Sequence, residues 1–311
     1  MMFQNTLVEG FIMNAKDLNY FHELVKQKNF SKVADYFHVS QPTISQAIKR
    51  LEDEFGSKLF DRDRSHGQLH VTVTGKQLDR HVLSILNELD VAQADIDRVH
   101  QNRIRFGLPP IIGNYLVPNF APQLMNADIL SLLDVVEYGS AQLLKMLRKG
   151  EIDMALLGSL TPLKELGIRT VQIGNYPLVI AASLENRQLQ AIHDPIHFAQ
   201  LRHERFIGFN KEFVHYTAFN ELCRQTRVRP KVIYRGADIQ IIKRLVQSNL
   251  GIAYLSTAAI TDQDHLLQIP LLDVQQSLHC YCAVRESTIL RPSEQKLWDI
   301  FAQDSSTNSA H

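Results

Sequence analysis

The sequence predicts a small helical domain at the N-terminus, one long helix, and a larger α/β domain. Three observations lead to this prediction. Helical patterns separated by turn residues fill residues 14–73, apolar residues recur at heptad spacing over 74–100, and strand and helix patterns alternate over 104–303. A chain of 311 residues, 45% of them apolar, has enough apolar residues for more than one hydrophobic core.

The N-terminal domain begins with three short helical segments. Asn14 is the predicted cap of the first helix, Ser31 of the second and Ser40 of the third. Pro42 falls in the first turn of the third helix, where its missing N–H costs nothing. A tight turn at residues 38–40 joins the second and third helices, so the pair is predicted to form a helix-turn-helix.

The third helix lies in the stretch SQPTISQAIKRLE, residues 40–52, and has two dissimilar faces. Ile44, Ile48 and Leu51 recur at helical spacing and are predicted to be buried. No acidic side chain precedes Glu52, so the partial positive charge at the start of the helix is not neutralised. The side chains left for an exposed polar surface are Gln41, Pro42, Thr43, Ser45, Gln46 and Lys49.

A hairpin is predicted after the third helix. Residues 59–60 return to the core, residues 65–67 have turn chemistry, and apolar residues alternate along 69–73. A helix-turn-helix followed by such a hairpin is a winged helix-turn-helix. Arg62 and Arg64 fall within this wing.

These features favour binding to double-stranded DNA. An α-helix fits the major groove of B-DNA, and short polar side chains near its start can reach base edges. The alternative is that the polar face is merely solvated. The expected contacts to bases are Gln41, Pro42, Thr43, Ser45 and Gln46, and the expected contacts to phosphates are Lys49, Arg62 and Arg64.

The distribution of charge supports DNA binding locally but not over the whole chain. The chain has 33 basic and 33 acidic side chains, and this balance gives no argument for nucleic acid or membrane. Residues 26–50 contain five basic side chains and one acidic side chain, Asp35. Positive charge is therefore concentrated around the predicted third helix.

A long helix is predicted to follow, because Thr74 and Gln77 have the spacing of a capping box. Apolar residues with alternating spacings of four and three predict a coiled-coil seam between two copies of the chain. A dimer would double the DNA contacts on a palindromic site. The alternative is one helix that packs on its own domain. The seam residues are Leu78, Val82, Ile85, Leu89, Ala92, Ile96 and Val99.

The first ninety residues resemble the LysR-type transcriptional regulators. The stretch NFSKVADYFHVSQPTISQAIKRLEDEFGSKLFDR, followed by VTVTGK, is similar to their winged-helix module. Within this family, KNFSKVADYFHVSQPT, RLEDEFGSKLF and RDRSH resemble the regulators of malolactic fermentation. The chain departs from the family at Gln46, where the pattern often has Arg, so the base that this residue contacts is left open.

The resemblance implies an effector domain of periplasmic-binding-protein type, with a small inducer between two subdomains. Strands predicted at residues 104–108, 132–136 and 154–157, the second of them buried, fit parallel pairing in an α/β fold. A second set of strands and helices begins at residue 176. The predicted subdomains are 104–175 with 266–303, and 176–265.

Ligands of open α/β sheets lie beyond the carboxyl ends of strands, against helix starts that attract anions. This rule selects the predicted effector site, a small carboxylate being the favoured ligand. The resemblance adds that the family's inducer sites include a hydroxyl where Ser140 stands, and that malate is the ligand if the narrower similarity holds. The predicted effector-binding residues are Pro109, Pro110, Ser140, Phe209, Asn210 and Asp238.

No catalytic, metal-binding or cofactor site is predicted. The sequence lacks a G-x-S-x-G elbow, a complete phosphate loop and an H-E-x-x-H motif. Cys223, Cys280 and Cys282 have no paired spacing and are predicted to be buried thiols in a reducing compartment.

The sequence therefore predicts a cytoplasmic transcriptional regulator with no membrane partner, forming dimers or tetramers. No stretch reaches 18 apolar residues, and no secretion signal is recognised at the N-terminus. The alternatives are a DNA-binding protein without ligand control, an enzyme, and a solute-binding protein on the same α/β fold.

Overall fold

The computed structural model describes residues 14–62, 69–98, 103–192 and 194–307. The chain divides into two compact units, one ending at Ala94 and one beginning at Asp95. The elements that begin in the first unit are α1 (Ala15–Gln27), α2 (Phe30–Tyr36), α3 (Gln41–Phe55), β1 (Phe60–Arg62), β2 (Leu69–Val71) and α4 (Val73–Arg98).

Side-chain caps determine where the first three helices begin. Asn14 accepts a hydrogen bond from the backbone N–H two residues later, and Ser40 accepts one from the N–H three residues later, as predicted. The prediction that Ser31 caps α2 is wrong, because Asn29 accepts the capping hydrogen bond and the helix begins at Phe30. Asparagine caps a helix as well as serine does, and Asn29 has the extended backbone of a cap.

An apolar core holds α1, α2, α3 and the β1–β2 hairpin together. Phe21, Ile44 and Leu51 are fully buried in it. Beside this core, Arg50 of α3 donates two hydrogen bonds, of 2.7 and 2.8 Å, to the buried carboxylate of Asp17 in α1. A bidentate pair of this kind fixes the angle between the two helices.

The start of α4 differs from the predicted capping box at Thr74. The helix begins at Val73, and the hydroxyl of Thr72 accepts a hydrogen bond of 2.9 Å from the N–H of Gly75. A Cβ at Gly75 would lie 2.3 Å from the carbonyl oxygen of Leu59. The glycine therefore lets α4 pack closely against the chain that leads into β1.

The second unit is α/β, as predicted. Its strands are β3 (Ile104–Leu108), β4 (Leu133–Glu137), β5 (Met154–Ser159), β6 (Ile168–Ser183), β7 (Arg205–Phe209), β8 (Lys231–Gly236), β9 (Ala253–Ser256), β10 (Leu266–Ile269) and β11 (Ser277–Arg285). Its helices are α5 (Pro110–Asn126), α6 (Ser140–Arg148), α7 (Arg187–Gln190), α8 (Val214–Thr226), α9 (Ile239–Gln247) and α10 (Pro292–Thr307), with short 3-10 turns between some of them.

The sheets combine parallel and antiparallel pairs. β3 pairs in parallel with β4 and β5, and β7 pairs in parallel with β8. β11 pairs antiparallel with β5 and β6, and β6 pairs antiparallel with β9 and β10. The predicted parallel pairing therefore holds where a helix connects the strands, and the return segments are antiparallel.

The long strand β6 is shared by two parts of this sheet. Its residues up to Pro177 pair with β11, and its residues from Leu178 onward pair with β9 and β10. The predicted grouping of 266–303 with the first subdomain is therefore wrong for Leu266–Ile269, which is β10. A four-residue strand has no pattern that identifies its partner, and the chain returns to the first part only at β11.

Strand β4 lies at one edge of the sheet. The prediction that it is buried is wrong, since the side chain of Val135 is 46% exposed. A short apolar run fits an edge strand as well as a central one, so periodicity alone does not separate the two.

Ion pairs join the last turn of α4 to the rest of the second unit. Arg98 donates a hydrogen bond of 2.8 Å to Asp153, and both side chains are nearly buried. Arg285 donates one of 2.6 Å to Asp95, and another of 3.1 Å to the carbonyl of Leu147 in the last turn of α6. Arg285 therefore connects the end of α6 with the last turn of α4.

Candidate nucleic-acid interface and ligand cavity

The two faces of α3 are those that the sequence predicts. Ile44 and Ile48 are buried in the core of the first unit. The exposed side chains are Gln41, Pro42, Gln46 and Lys49, and the half-buried ones are Thr43 and Ser45. The surface expected to meet DNA is thus available in the folded unit.

The start of α3 has no acidic side chain in its first turn. The hydroxyls of Ser40 and Thr43 lie 2.8 Å apart, and the hydroxyl of Ser31 lies 3.5 Å from Oε1 of Gln41. Ser31 and Lys32 are exposed at the start of α2, so they share this surface with α3. The sequence analysis missed both, because the approach of the two helix starts depends on the angle between the helices, which no local pattern gives.

The basic residues around α3 have different roles. Lys49 is exposed, whereas Arg50 is bound to Asp17 and helps hold α3 in place. Arg62 ends β1, opposite Leu69, and its side chain is not among those described. Arg64 lies outside the described residues.

The first turns of helix α4 pack against the core of the first unit, whereas the seam residues further along the helix are exposed to solvent. Val82 is buried in the core of the first unit, and Leu78 packs against that core. Further along, Leu89 is 48% exposed and Ile96 is 63% exposed, and Ile85 and Ala92 are also exposed. Each of the two sequence interpretations therefore fits a different part of the helix. Val99 lies outside the described residues.

A cavity in the second unit is enclosed by the first residues of three helices. Pro109 precedes α5, Gly139 and Ser140 lie at the start of α6, and Phe213 precedes α8. Among the described residues, none of these helices has a side-chain cap or an acidic residue in its first turn. By contrast, α1, α2, α3, α7 and α9 all have side-chain caps. Three partially positive helix starts thus converge on one cavity, which suits an anion.

Close backbone approach shapes the walls of this cavity. The hydroxyl oxygen of Ser140 accepts a hydrogen bond of 2.8 Å from the N–H of Gly158 at the end of β5. A Cβ at Gly158 would lie 2.9 Å from Cδ1 of Leu278, and one at Gly139 would lie 2.3 Å from the carbonyl oxygen of Glu212. Gly139 therefore lets the start of α6 approach the chain that leads into α8, and the hydrogen bond from Gly158 links that start to β5.

This cavity adjoins a larger one, and we call the smaller cavity the inner part and the larger cavity the outer part. The inner part has a volume of about 20 Å³, enough for about one water molecule. The outer part, of about 380 Å³, shares Ser140, Gly158 and Val214 with it. Its lining is mostly apolar and includes one charged side chain among the described residues, Glu221. A small organic ligand fits the outer volume and can reach the helix starts from there.

The structure brings some of the predicted effector-binding residues together and separates others. Pro109 and Ser140 line the cavity, and Pro110 is the first residue of α5 beside it. Phe209 lines a smaller neighbouring cavity. Asn210 and Asp238 line neither part, and each side chain accepts a hydrogen bond from a backbone N–H two residues later. Both therefore act locally as caps of a turn or helix.

His215, in the first turn of α8, is a cavity residue that the sequence analysis missed. Its side chain lines the inner cavity with Ser140 and also the cavity at Phe209. Nε2 of the ring lies 3.1 Å from the hydroxyl of Ser256 and accepts a hydrogen bond of 3.2 Å from its N–H. No motif in the sequence marked this histidine, because its neighbours come from distant segments.

Comparison with known proteins identifies the family. Residues 15–76 match the family model for the bacterial regulatory helix-turn-helix protein of the lysR family, and residues 97–306 match that for the LysR substrate binding domain. The chain belongs to the LysR family of transcriptional regulators.

Relatives of this regulator match it along most of its length. The malolactic fermentation system transcriptional activator of Lactococcus lactis is 33% identical over 93% of this chain and 98% of its own. The transcriptional dual regulator GltC of Bacillus subtilis is 29% identical over 83% and 86%. The crystal structure of full-length BenM shares the fold, with a TM-score of 0.54, 21% identity, and coverage of 96% and 98%.

The family establishes a DNA-binding transcriptional regulator with an effector-binding domain, which confirms the predicted class. Regulators of this family bind DNA and small effectors and form oligomers. They are not enzymes, so the prediction that the chain has no catalytic activity is confirmed.

The prediction that the three cysteines are buried holds for two of them and is wrong for Cys223. Cys280 and Cys282 are buried and Cys223 is half-buried, and burial raises the pKa of Cys223 to about 11 and of Cys280 to about 12. In the described part of the chain, no cluster of three or more His, Cys, Asp or Glu could hold a metal ion. The described helices include none with both the length and the apolar character needed to cross a membrane.

The regulator is expected to lose stability as the pH falls from about 6.5 to about 4. Burial lowers the pKa of His215 to about 4, whereas a histidine in the unfolded chain titrates near 6.5. Between these values the unfolded state binds the additional proton, so acid favours unfolding. Melting temperatures across this pH range should fall less steeply for His215→Phe than for the wild type. Equal slopes would show that the histidine is not held neutral.

Proposed function

We propose that this regulator binds operator DNA as a dimer, under the control of a small carboxylate in the cavity at Ser140. Residues 14–73 form the DNA-binding domain, 74–100 the linker and dimerisation helix, and 104–303 the effector-binding domain. Within the last, β10 is grouped with residues 176–265 because of its pairing with β6. Because the proposed target is DNA, we also propose that the protein acts in the cytoplasm.

The exposed face of α3 supports the proposed DNA contacts. Gln41 and Gln46 are long enough to reach base edges, and Pro42, Thr43 and Ser45 are shorter side chains in the first two turns of the same helix. Lys49 is exposed on the same helix and, with Arg62 and Arg64 of the wing, would contact phosphates.

Substitutions at Gln46 and Lys49 should separate base contacts from phosphate contacts. We expect Gln46→Ala to cost about 1–3 kcal/mol of binding free energy on the preferred sequence and to relax preference at one position. We expect Lys49→Ala to weaken binding to all DNA sequences alike. It should also reduce the slope of log affinity against log salt concentration by about one. Binding to a randomised operator library at several salt concentrations measures both effects. The same pattern of loss in the two variants would contradict these roles.

The convergence of three uncapped helix starts on the cavity carries the proposal of an anionic effector. Each start offers unsatisfied N–H groups, and the hydroxyl of Ser140 adds a further donor. We propose malate as the effector, because a relative of 33% identity is named as the activator of a malolactic fermentation system. Association of two dimers into a tetramer is proposed from the same family resemblance.

A thiol-based sensor is the second candidate, because a hydrogen peroxide-inducible genes activator of Haemophilus influenzae is 26% identical over 81% of this chain. The buried thiols do not favour it. Reactive cysteines have a lowered pKa, whereas burial raises the pKa of Cys223, Cys280 and Cys282. The effector cavity therefore supports a carboxylate better than the cysteines support an oxidant.

Helix α6 offers a route from the cavity to α4. Ser140 is the first residue of α6, and the carbonyl of Leu147 near its end accepts a hydrogen bond from Arg285, which also binds Asp95 of α4. A short helix moves as a rigid body, so displacement of its start by a ligand reaches Arg285. We propose that this contact transmits effector binding to the linker helix.

Removal of the Asp95 carboxylate should uncouple effector binding from the change in DNA affinity. We expect Asp95→Ala to bind L-malate with unchanged affinity, while L-malate loses most of its effect on DNA affinity. The matched control is Asp90→Ala, an exposed acidic residue on the same helix, which should respond normally. Calorimetry for L-malate and fluorescence anisotropy for DNA measure the two properties, and a full response in Asp95→Ala would reject this route.

A further inference from the structure

The imidazole of His215 is held in one neutral tautomer. The residue is 4% exposed, and its Nε2 accepts a hydrogen bond of 3.2 Å from the backbone N–H of Ser256. A backbone N–H only donates, so Nε2 must present its lone pair and the proton must lie on Nδ1. Burial keeps the pKa of His215 low, which maintains the neutral ring at physiological pH.

The Nδ1–H group of His215 is a free donor that remains accessible, because it is not among the buried side-chain atoms of the described residues that lack a partner. Among the described residues, no hydrogen bond involves this atom. The ring lines the inner cavity, whose other polar side chain among the lining residues is Ser140. An acceptor oxygen placed in the cavity could therefore receive a hydrogen bond from this N–H.

The two donors belong to different parts of the second unit. Ser140 begins α6, which packs beside β5 of the first part, whereas His215 is in α8 and binds Ser256 at the end of β9 in the second part. The lining of the inner cavity includes no Lys, Arg, Asp or Glu among the described residues. Recognition there depends on hydrogen-bond donors and helix starts rather than on an ion pair.

We propose that His215 is a specificity-determining residue of the effector cavity, whose Nδ1–H donates to an oxygen of a small carboxylate that also reaches Ser140. This inference rests on the proposed function. It adds a second polar contact to the ligand, made by His215 of α8 across the cavity from Ser140 of α6. A fixed neutral donor selects ligands that present an acceptor oxygen at this point. Bound in this way, the carboxylate bridges α6 and α8. It would hold the part of the second unit that contains α6 at one distance from the part that contains α8.

Calorimetric titration of the full chain with L-malate tests the role of His215. We expect His215→Phe, which keeps a ring of similar size but has no donor, to weaken binding by about 10- to 100-fold. His215→Asn keeps an N–H near the position of Nδ1 and should retain most of the affinity. His203→Phe, at an exposed histidine, is the matched control and should bind as the wild type does.

Ser140→Ala makes the two proposals separable. If His215→Phe binds L-malate as tightly as the wild type while Ser140→Ala binds weakly, the role of His215 is rejected and the effector site stands. If the wild type does not bind L-malate, or neither variant weakens binding, the proposed malate site falls and the inference falls with it.

The wild-type protein gives a second test, in which a variant serves only to assign the signal. The ¹⁵N spectrum of histidine-labelled protein, assigned by comparison with His215→Asn, should show a protonated Nδ1 that shifts when L-malate is added. A proton on Nε2, or an Nδ1 signal unmoved by saturating L-malate that binds, would overturn the inference.

Discussion

The variant Leu89→Asp is expected to be monomeric at concentrations where the wild type is a dimer. Leu89 lies in the middle of the proposed seam and is 48% exposed in the single chain. In a dimer about a two-fold axis, this change would bury two like charges that have no partner, which is strongly unfavourable. Because the two DNA-binding heads would no longer act together, operator affinity should fall by about 10²–10⁴-fold. Analytical ultracentrifugation and DNA titration measure the two losses.

Leu83→Asp is the matched control for the seam. Leu83 has the same exposure of 48% and lies on the same helix, but it does not share the heptad positions of the seam. We expect this variant to remain dimeric and to bind the operator normally. The seam would be rejected if Leu83→Asp dissociated while Leu89→Asp stayed a dimer.

The variant Ser140→Ala is expected to lose most of its response at L-malate concentrations that saturate the wild type, while it retains DNA binding in the absence of ligand. The hydroxyl accepts from the N–H of Gly158 and has its own proton to donate into the cavity. Loss of one hydrogen bond to a charged ligand corresponds to about 10- to 100-fold in affinity. The L-malate concentration that gives half of the maximal change in DNA affinity should rise by this factor.

Asp238→Ala distinguishes a ligand contact from a helix cap. Asp238 accepts a hydrogen bond of 2.7 Å from the N–H of Gln240 at the start of α9. Its removal should cost about 0.5–2 kcal/mol of stability and leave the L-malate response intact. An intact response in Ser140→Ala, or a lost response in Asp238→Ala at full folding, would show that the cavity has been misassigned.

The sequence predicted the parts of the fold that are determined by local patterns. Ile44 and Ile48 recur at helical spacing, and the structure buries both. Ser40 and Asn14 cap their helices because a short polar side chain at that position has few alternatives. The exposed side of α3 follows from these two facts, so this part of the candidate DNA surface could be predicted, whereas Ser31 and Lys32 of α2 could not.

The sequence could not predict features that depend on distant segments. His215 enters the cavity because Ser256, in another strand, orients its ring. Asp238 and Ser140 both stand at helix starts, but only contact with the rest of the fold shows that the first is a cap and the second lines a cavity. β10 and β4 are too short for their sequences to identify a partner strand or an edge.

The measurement that tests the account most directly is footprinting on an operator duplex selected in vitro. The account predicts two patches of guanine N7 protection in the major groove, centred one helical turn or a multiple of it apart, about 10 bp per turn. Both patches should disappear together for Leu89→Asp and persist for Leu83→Asp. A single patch from the wild type, or protection confined to the minor groove, would contradict a dimer that presents two copies of α3 to the DNA.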